Sequence, residues 1–268
     1  MNLLVAILLF GASQGLLLCA VILVIKTGER GANLLLGLFI GISSIELGLF
    51  ALLLTEPDYR SVIFKLYAVA ILKGPALYLY VRALTEPGFS PGPGQLKHLL
   101  LIFPNLVLIW LLTSSASEDQ SSSDYAQLLG TGPVFWYSMM LNLVGLAYAW
   151  AALGVLNRYR QRVEDLFSST EEISLGWLKW LLGFYITLRL GNIGLDIMTI
   201  MGVPQAGYKS FGIALLNIGV IYFVSFGGLR QPIIFSGHFR RQPLEPDAGA
   251  EAAAKPAEGA KYDKSGLS

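Results

Sequence analysis

Charge is scarce in this sequence. Asp, Glu, Lys and Arg make up only 14% of its residues, against about 25% in ordinary soluble domains. Cysteine occurs once, as Cys19, which excludes an internal disulfide and any cysteine-based metal site. Histidine occurs twice, at His98 and His238, which removes most zinc and haem chemistry. There is no H-E-x-x-H, no G-x-S-x-G elbow and no Walker A loop, so metalloproteolysis, serine hydrolysis and P-loop nucleotide chemistry are not supported. No metal or cofactor is expected, and a soluble enzyme is not. No Lys or Arg precedes Lys26, so the basic start of a secretory signal is missing and Met1–Ile25 is expected to stay as a helix.

Long apolar runs are what the sequence does have. Hydrophobic residues reach 54% and the mean hydropathy is +0.59. A spanning helix needs about 20 mostly apolar residues. Seven stretches qualify: Leu3–Ile25, Ala32–Leu54, Val62–Leu84, Leu99–Thr113, Pro133–Leu156, Trp177–Ile200 and Phe211–Leu229. The fold class expected is all-α: a polytopic seven-transmembrane-helix bundle. Turn residues separate the stretches, as in Glu56-Pro57-Asp58, Glu86-Pro87-Gly88 and Pro91-Gly92-Pro93-Gly94. Residues 1–235 read as the membrane domain. Residues 236–268, rich in Ala, Pro, Glu and Gly, read as a disordered cytoplasmic linker.

Lys and Arg set the expected orientation. Lys26, Arg30, Arg82, Lys97, Arg158, Arg160, Arg162, Lys179, Arg230, Arg240, Arg241, Lys255, Lys261 and Lys264 fall on one side, and Arg60, Lys65 and Lys209 on the other. Fourteen against three predicts N-out, C-in. Aromatic residues near the helix ends, among them Trp110, Trp136, Tyr137, Trp177 and Trp180, suit interfacial belts. Gly11-x-x-x-Gly15 and Gly37-x-x-x-Gly41 permit close helix packing, within the chain or between two copies.

Ionisable residues at bilayer depth are costly and call for a reason. Glu46 lies past the middle of the second stretch, Lys73 in the middle of the third and Arg189 in the middle of the sixth. Asn192 and Asp196 follow Arg189 on the same helical face. The four charges cancel. They read as a buried ion-pair network joining helices two, three and six, as a polar pocket for a small ligand, or as an ion pathway. Beside Lys73, Gly74-Pro75 removes an amide donor and marks a kink or hinge.

The segment after the fifth stretch is strongly patterned. Arg158, Arg160 and Arg162 suit anionic headgroups, and Ser169 with Glu172 forms a capping box expected to open helix six. With the Gly227-Gly228 exit from helix seven, these are candidate cytoplasmic coupling residues.

Four stretches together resemble a known family: 73–84 (KGPALYLYVRAL) with Lys97-His98, 167–171 (FSSTE) running to Trp177-Leu178-Lys179, 228–235 (GLRQPIIF), and the closing 261–268 (KYDKSGLS). They resemble the N-terminal multi-helix membrane domain of bacterial membrane-bound AraC-type transcriptional regulators. The resemblance implies a sensory or anchoring domain in the bacterial inner membrane, passing a small-molecule, lipid or envelope signal to a cytoplasmic helix-turn-helix domain. It also implies a homodimer. Where the family often has an acidic residue after Gln-Pro, Pro232 is followed by Ile233. No recognition-helix motif follows in this sequence, so DNA contact is expected only through a further C-terminal domain. The rival expectations are a small transporter or channel using the polar cluster, and a passive membrane anchor.

Overall fold

The computed structural model describes residues 3–24, 30–56, 60–86, 89, 92–114, 132–166, 175–202 and 208–230. The described residues are helical, without strands. Helix α1 is Leu3–Val24 and α2 is Arg30–Thr55. Rod three has three parts: α3 (Arg60–Leu66), a 3-10 stretch (Tyr67–Leu72) and α4 (Lys73–Thr85). A four-residue α5 (Pro93–Leu96) and a 3-10 turn (Leu99–Leu101) lead into α6 (Ile102–Ser114). Helices α7 (Pro133–Leu166), α8 (Gly176–Ile200) and α9 (Tyr208–Arg230) follow. Pro93 and Pro133 each sit at a helix start, where a missing amide hydrogen costs nothing. Gly202, at φ 77°, takes the left-handed conformation just beyond α8.

Five helices are long and apolar enough to cross a membrane: Leu3–Val24, Arg30–Thr55, Tyr67–Thr85, Phe135–Val163 and Gly176–Met198. Leu99–Leu112 and Leu215–Val224 are shorter apolar helices. Each of the seven apolar stretches of the sequence thus becomes a helical rod. The largest departure is α7, which runs ten residues past Leu156 to Leu166.

Successive rods along the chain alternate in direction. Gly15 of α1 meets Ser44 of α2, while Gly37 of α2 meets Leu23 of α1, an antiparallel pairing. Gly11 faces Ile218 and Gly15 faces Ile221, so α1 and α9 run parallel. The rods close into a ring in the order α1, α2, α4, α7, α8, α9, with α9 returning to both α1 and α2. The hydrophobic core inside includes Leu8, Phe39, Ile40, Leu77, Leu79, Tyr80, Leu156, Leu178, Leu181 and Tyr185. Helix α6 stands outside that ring. It packs on rod three through a separate small cluster of Ala68, Ile109 and Tyr137.

The glycines explain how closely the rods approach. A Cβ on Gly11 would lie 2.6 Å from Ile218 Cγ1, and one on Gly15 would overlap the Ser44 hydroxyl. The small-residue faces of α1 and α2 are therefore filled from within the chain. On Gly74 a Cβ would stand 3.2 Å from Tyr148 Cβ and 3.5 Å from Gly145 Cα, so this glycine lets α4 lie against α7. Outside the ring, Phe10, Leu17, Phe103, Val107, Trp136, Trp150, Trp180, Leu190 and Phe226 are exposed. So large an apolar exterior on almost every rod fits hydrocarbon and not water. Two of the expected belt aromatics turn inward instead. Tyr137 is buried, and Trp177 packs against Gly227 and Tyr80.

Candidate functional site: a polar centre between four rods

The middle of the bundle contains a direct ion pair, between Lys73 Nζ and Glu46 Oε2. The Lys73 side chain is only 4% exposed and that of Glu46 16%. The local backbone positions both. Glu46 extends from α2, whose carbonyl at this residue also accepts from Tyr67 Oη at 3.2 Å. Lys73 is the first residue of α4, directly after six residues of 3-10 helix. Such runs longer than three or four residues are uncommon. Pro75 accounts for the break: it offers no hydrogen to the Ile71 carbonyl, and its ring crowds that turn. The 3-10 stretch thus ends immediately before Lys73-Gly74-Pro75, where the sequence suggests a kink or hinge.

Arg189 belongs to the same centre but has different partners. It is 9% exposed. Its Nη1 donates to Asn142 Oδ1 at 3.2 Å and its Nη2 to Tyr185 Oη at 2.9 Å, with the guanidinium carbon 4.9 Å from the Tyr185 ring centre. Its Nε is buried without a hydrogen-bond partner. Gly145 makes the room: a Cβ there would stand 3.0 Å from Arg189 Nε and 3.1 Å from Tyr185 Oη. Glu46 interacts electrostatically with both Lys73 and Arg189, but the short ion pair is to Lys73. Asp196 accepts from Ser138 Oγ at 2.8 Å, and Asn192 donates to the Leu188 carbonyl of its own helix at 3.0 Å. Within the network expected across helices two, three and six, α7 supplies partners to both Arg189 and Asp196.

A second polar cluster lies further along α4. Arg82 Nε donates to both Glu86 carboxylate oxygens at 2.9 and 3.0 Å, and Nη2 donates to Oε2 at 2.6 Å. Nη1 donates to Gln95 Oε1 at 2.9 Å. The guanidinium carbon lies 5.0 Å from the Phe89 ring centre and 5.8 Å from that of Tyr78. His98 Nδ1 is hydrogen bonded to Tyr148 Oη at 3.0 Å, and both rings pack against Tyr78. This clasp fastens the connection between α4 and α6 to α7. Burial, then Lys97, then Arg82 hold the His98 pKa below the ordinary 6.5.

The coupling candidates divide by location. Arg158 and Arg162 are exposed on the C-terminal extension of α7, where Arg162 Nε donates to the Arg158 carbonyl at 3.4 Å, and Arg160 is half-buried between them. Gly227 lies within α9, and a Cβ there would overlap the Trp177 ring. Gly228 follows it in the same helix. Ser169 and Glu172 lie outside the described residues. Before α8, Leu175 is buried at φ 46°, an uncommon conformation for a residue with a side chain.

Ser138 and Tyr185 were not among the residues that sequence reasoning singled out. Tyr185 could have been found, because it precedes Arg189 by one helical turn. The Arg82–Glu86 pair carried the same signal. Ser138 with Asp196 and His98 with Tyr148 are 58 and 50 residues apart, and no local pattern marks them. No family model, no curated protein and no solved structure matches this chain.

Proposed function

We propose that this chain is a seven-crossing membrane sensor module, N-out and C-in, that passes a signal from its polar centre to a cytoplasmic helix-turn-helix domain of the AraC type. The observation that carries the reading is the position of Lys73. It joins a buried ion pair to a six-residue 3-10 stretch in one rod. A 3-10 helix rises about 2.0 Å per residue and an α-helix about 1.5 Å, so converting six residues shortens the rod by about 3 Å. Such a change moves Tyr78, Tyr80 and Arg82 against α7 and α8. A signal acts on this element only if it binds the two forms unequally.

Five helices of spanning length, two shorter apolar rods, alternating directions and the basic asymmetry support seven crossings. The four stretches that resemble membrane-bound AraC-type regulators support the output. The test is transcript profiling in cells carrying Lys73→Met in the chromosomal gene. The reading predicts a restricted set of altered transcripts that persists after correction for the amount of protein in the membrane. It fails if replacing residues 1–235 with an unrelated multi-span anchor leaves regulation intact, which would indicate a passive anchor. Buried ionisable groups also favour a second reading, a small transporter or channel. Solute flux in proteoliposomes that disappears in Glu46→Gln would decide for that one.

A further inference from the structure

We infer that the Trp177 indole is a relay that couples rod three to the C-terminal end of α9. Trp177 is the second residue of α8. Its indole packs on Tyr80 of α4, with centroids 6.5 Å apart and planes tilted by 58°. The same indole covers Gly227 of α9, where a Cβ would overlap its six-membered ring. Helices α4 and α9 are not neighbours in the ring of rods. One side chain of α8 therefore touches both. Tyr80 lies seven residues beyond Lys73 in α4, two turns along the same helical face. Gly227 lies three residues before Arg230, where α9 ends. The indole thus joins the rod that carries the ion pair to the helix that leads out of the bundle.

Two costly features hold the indole in place. A buried tryptophan N–H usually finds a hydrogen-bond partner, yet Trp177 Nε1 is buried without one. Leu175, two residues earlier, is buried at φ 46°, an outlier for a bulky side chain. Its carbonyl accepts from the Leu178 amide at 2.9 Å, so this strained residue opens α8. Costs of this kind persist only where the surroundings over-determine them, and they concentrate in switch regions. An arrangement in which the indole withdraws from Gly227 frees its N–H to meet an acceptor and lets Leu175 relax. Tyr80 bounds the indole, so the position of rod three selects between the two arrangements. The inference deepens the sensor reading by naming the route to the output, but the contacts themselves stand on this geometry alone.

The test is a double-mutant cycle on Tyr80→Leu and Gly227→Ala in the full chain, with thermal unfolding in detergent followed by circular dichroism. Gly227→Ala drives the indole towards rod three, and Tyr80→Leu gives it room. The double variant should lose less than the two single losses together, by about 2 °C or more in the midpoint. With Trp177→Ala added to every member, the losses should become additive. Gly219→Ala, in the same helix, places a Cβ that meets nothing within 4 Å and should add to Tyr80→Leu in either background. Additive losses in the native background overturn the relay, and so does a coupling that survives Trp177→Ala. If Gly227→Ala does not fold alone, Tyr80→Leu should restore folding, and failure to restore it overturns the relay as well. Tyr80→Met takes the place of Tyr80→Leu if the latter does not fold. Transcripts separate the relay from the sensor reading. The response to Lys73→Met should vanish in Trp177→Ala, and a response that persists there sinks the relay and keeps the sensor. Coupling in the cycle without any transcript response to Lys73→Met does the reverse.

Discussion

Arg189 and Arg82 are the same side chain in opposite circumstances. Arg189 is buried mid-bundle and held by neutral oxygens. Arg82 is 21% exposed and grips a carboxylate through three hydrogen bonds. The first lies in the centre with the Glu46–Lys73 pair, and the second in the clasp near the end of α4. Burial changes what a charge does. In the clasp, water screens the pair, and losing it costs little. In the centre, removing one member leaves its partner stranded, and the cost is several times larger. The centre is thus a place where a small input has a large effect, and the clasp is a fastening.

The largest expected effect is at the centre. Lys73→Met should destabilise the detergent-solubilised protein by about 3–5 kcal/mol, because Glu46 is left buried and unpaired. Thermal unfolding measures it, and a loss below 1 kcal/mol would put the centre on a level with the clasp. Next comes the packing of the ring itself. Gly15→Leu forces a side chain into Ser44 and Ile221, with an expected cost of about 1–3 kcal/mol. Breaking the clasp with Arg82→Gln should cost about 1 kcal/mol, and that loss should shrink in high salt. Salt-independent destabilisation would show that the clasp behaves like the centre.

The smallest effect is a pH slope at His98. Its folded pKa lies below the ordinary 6.5, so the unfolded chain takes up the proton first as pH falls. The contribution is complete above that ordinary value and is lost as pH drops through the lower, folded one. Unfolding midpoints between neutral and mildly acidic pH should therefore decline, and His98→Gln should flatten the decline. An unchanged slope in that variant assigns the titration elsewhere.

The rods were legible because hydropathy fixes where a chain is apolar. Their extent was less so. The helix of α7 continues through Asn157–Leu166, since Arg, Gln and Glu favour helix as readily as they favour water. Within the centre, opposite charge on neighbouring rods made Glu46 and Lys73 legible as a pair. The partners of Arg189 were not, because Asn142 and Tyr185 carry no charge and one of them comes from a rod without a mid-bundle ion. Asp196 illustrates the same limit. Seven residues from Arg189 it is on the right face, yet Ser138 of α7 reaches it. Helical spacing predicts which residues share a face, and only the packing of rods decides what that face meets.

A double-mutant cycle on Glu46→Gln and Lys73→Met, read by unfolding in detergent, tests the central claim most directly. The account predicts a coupling of about 1–3 kcal/mol between these two residues, larger than that of Glu46 with Arg189 in a parallel cycle. Additive losses from the two variants, or a stronger coupling of Glu46 to Arg189, would contradict it.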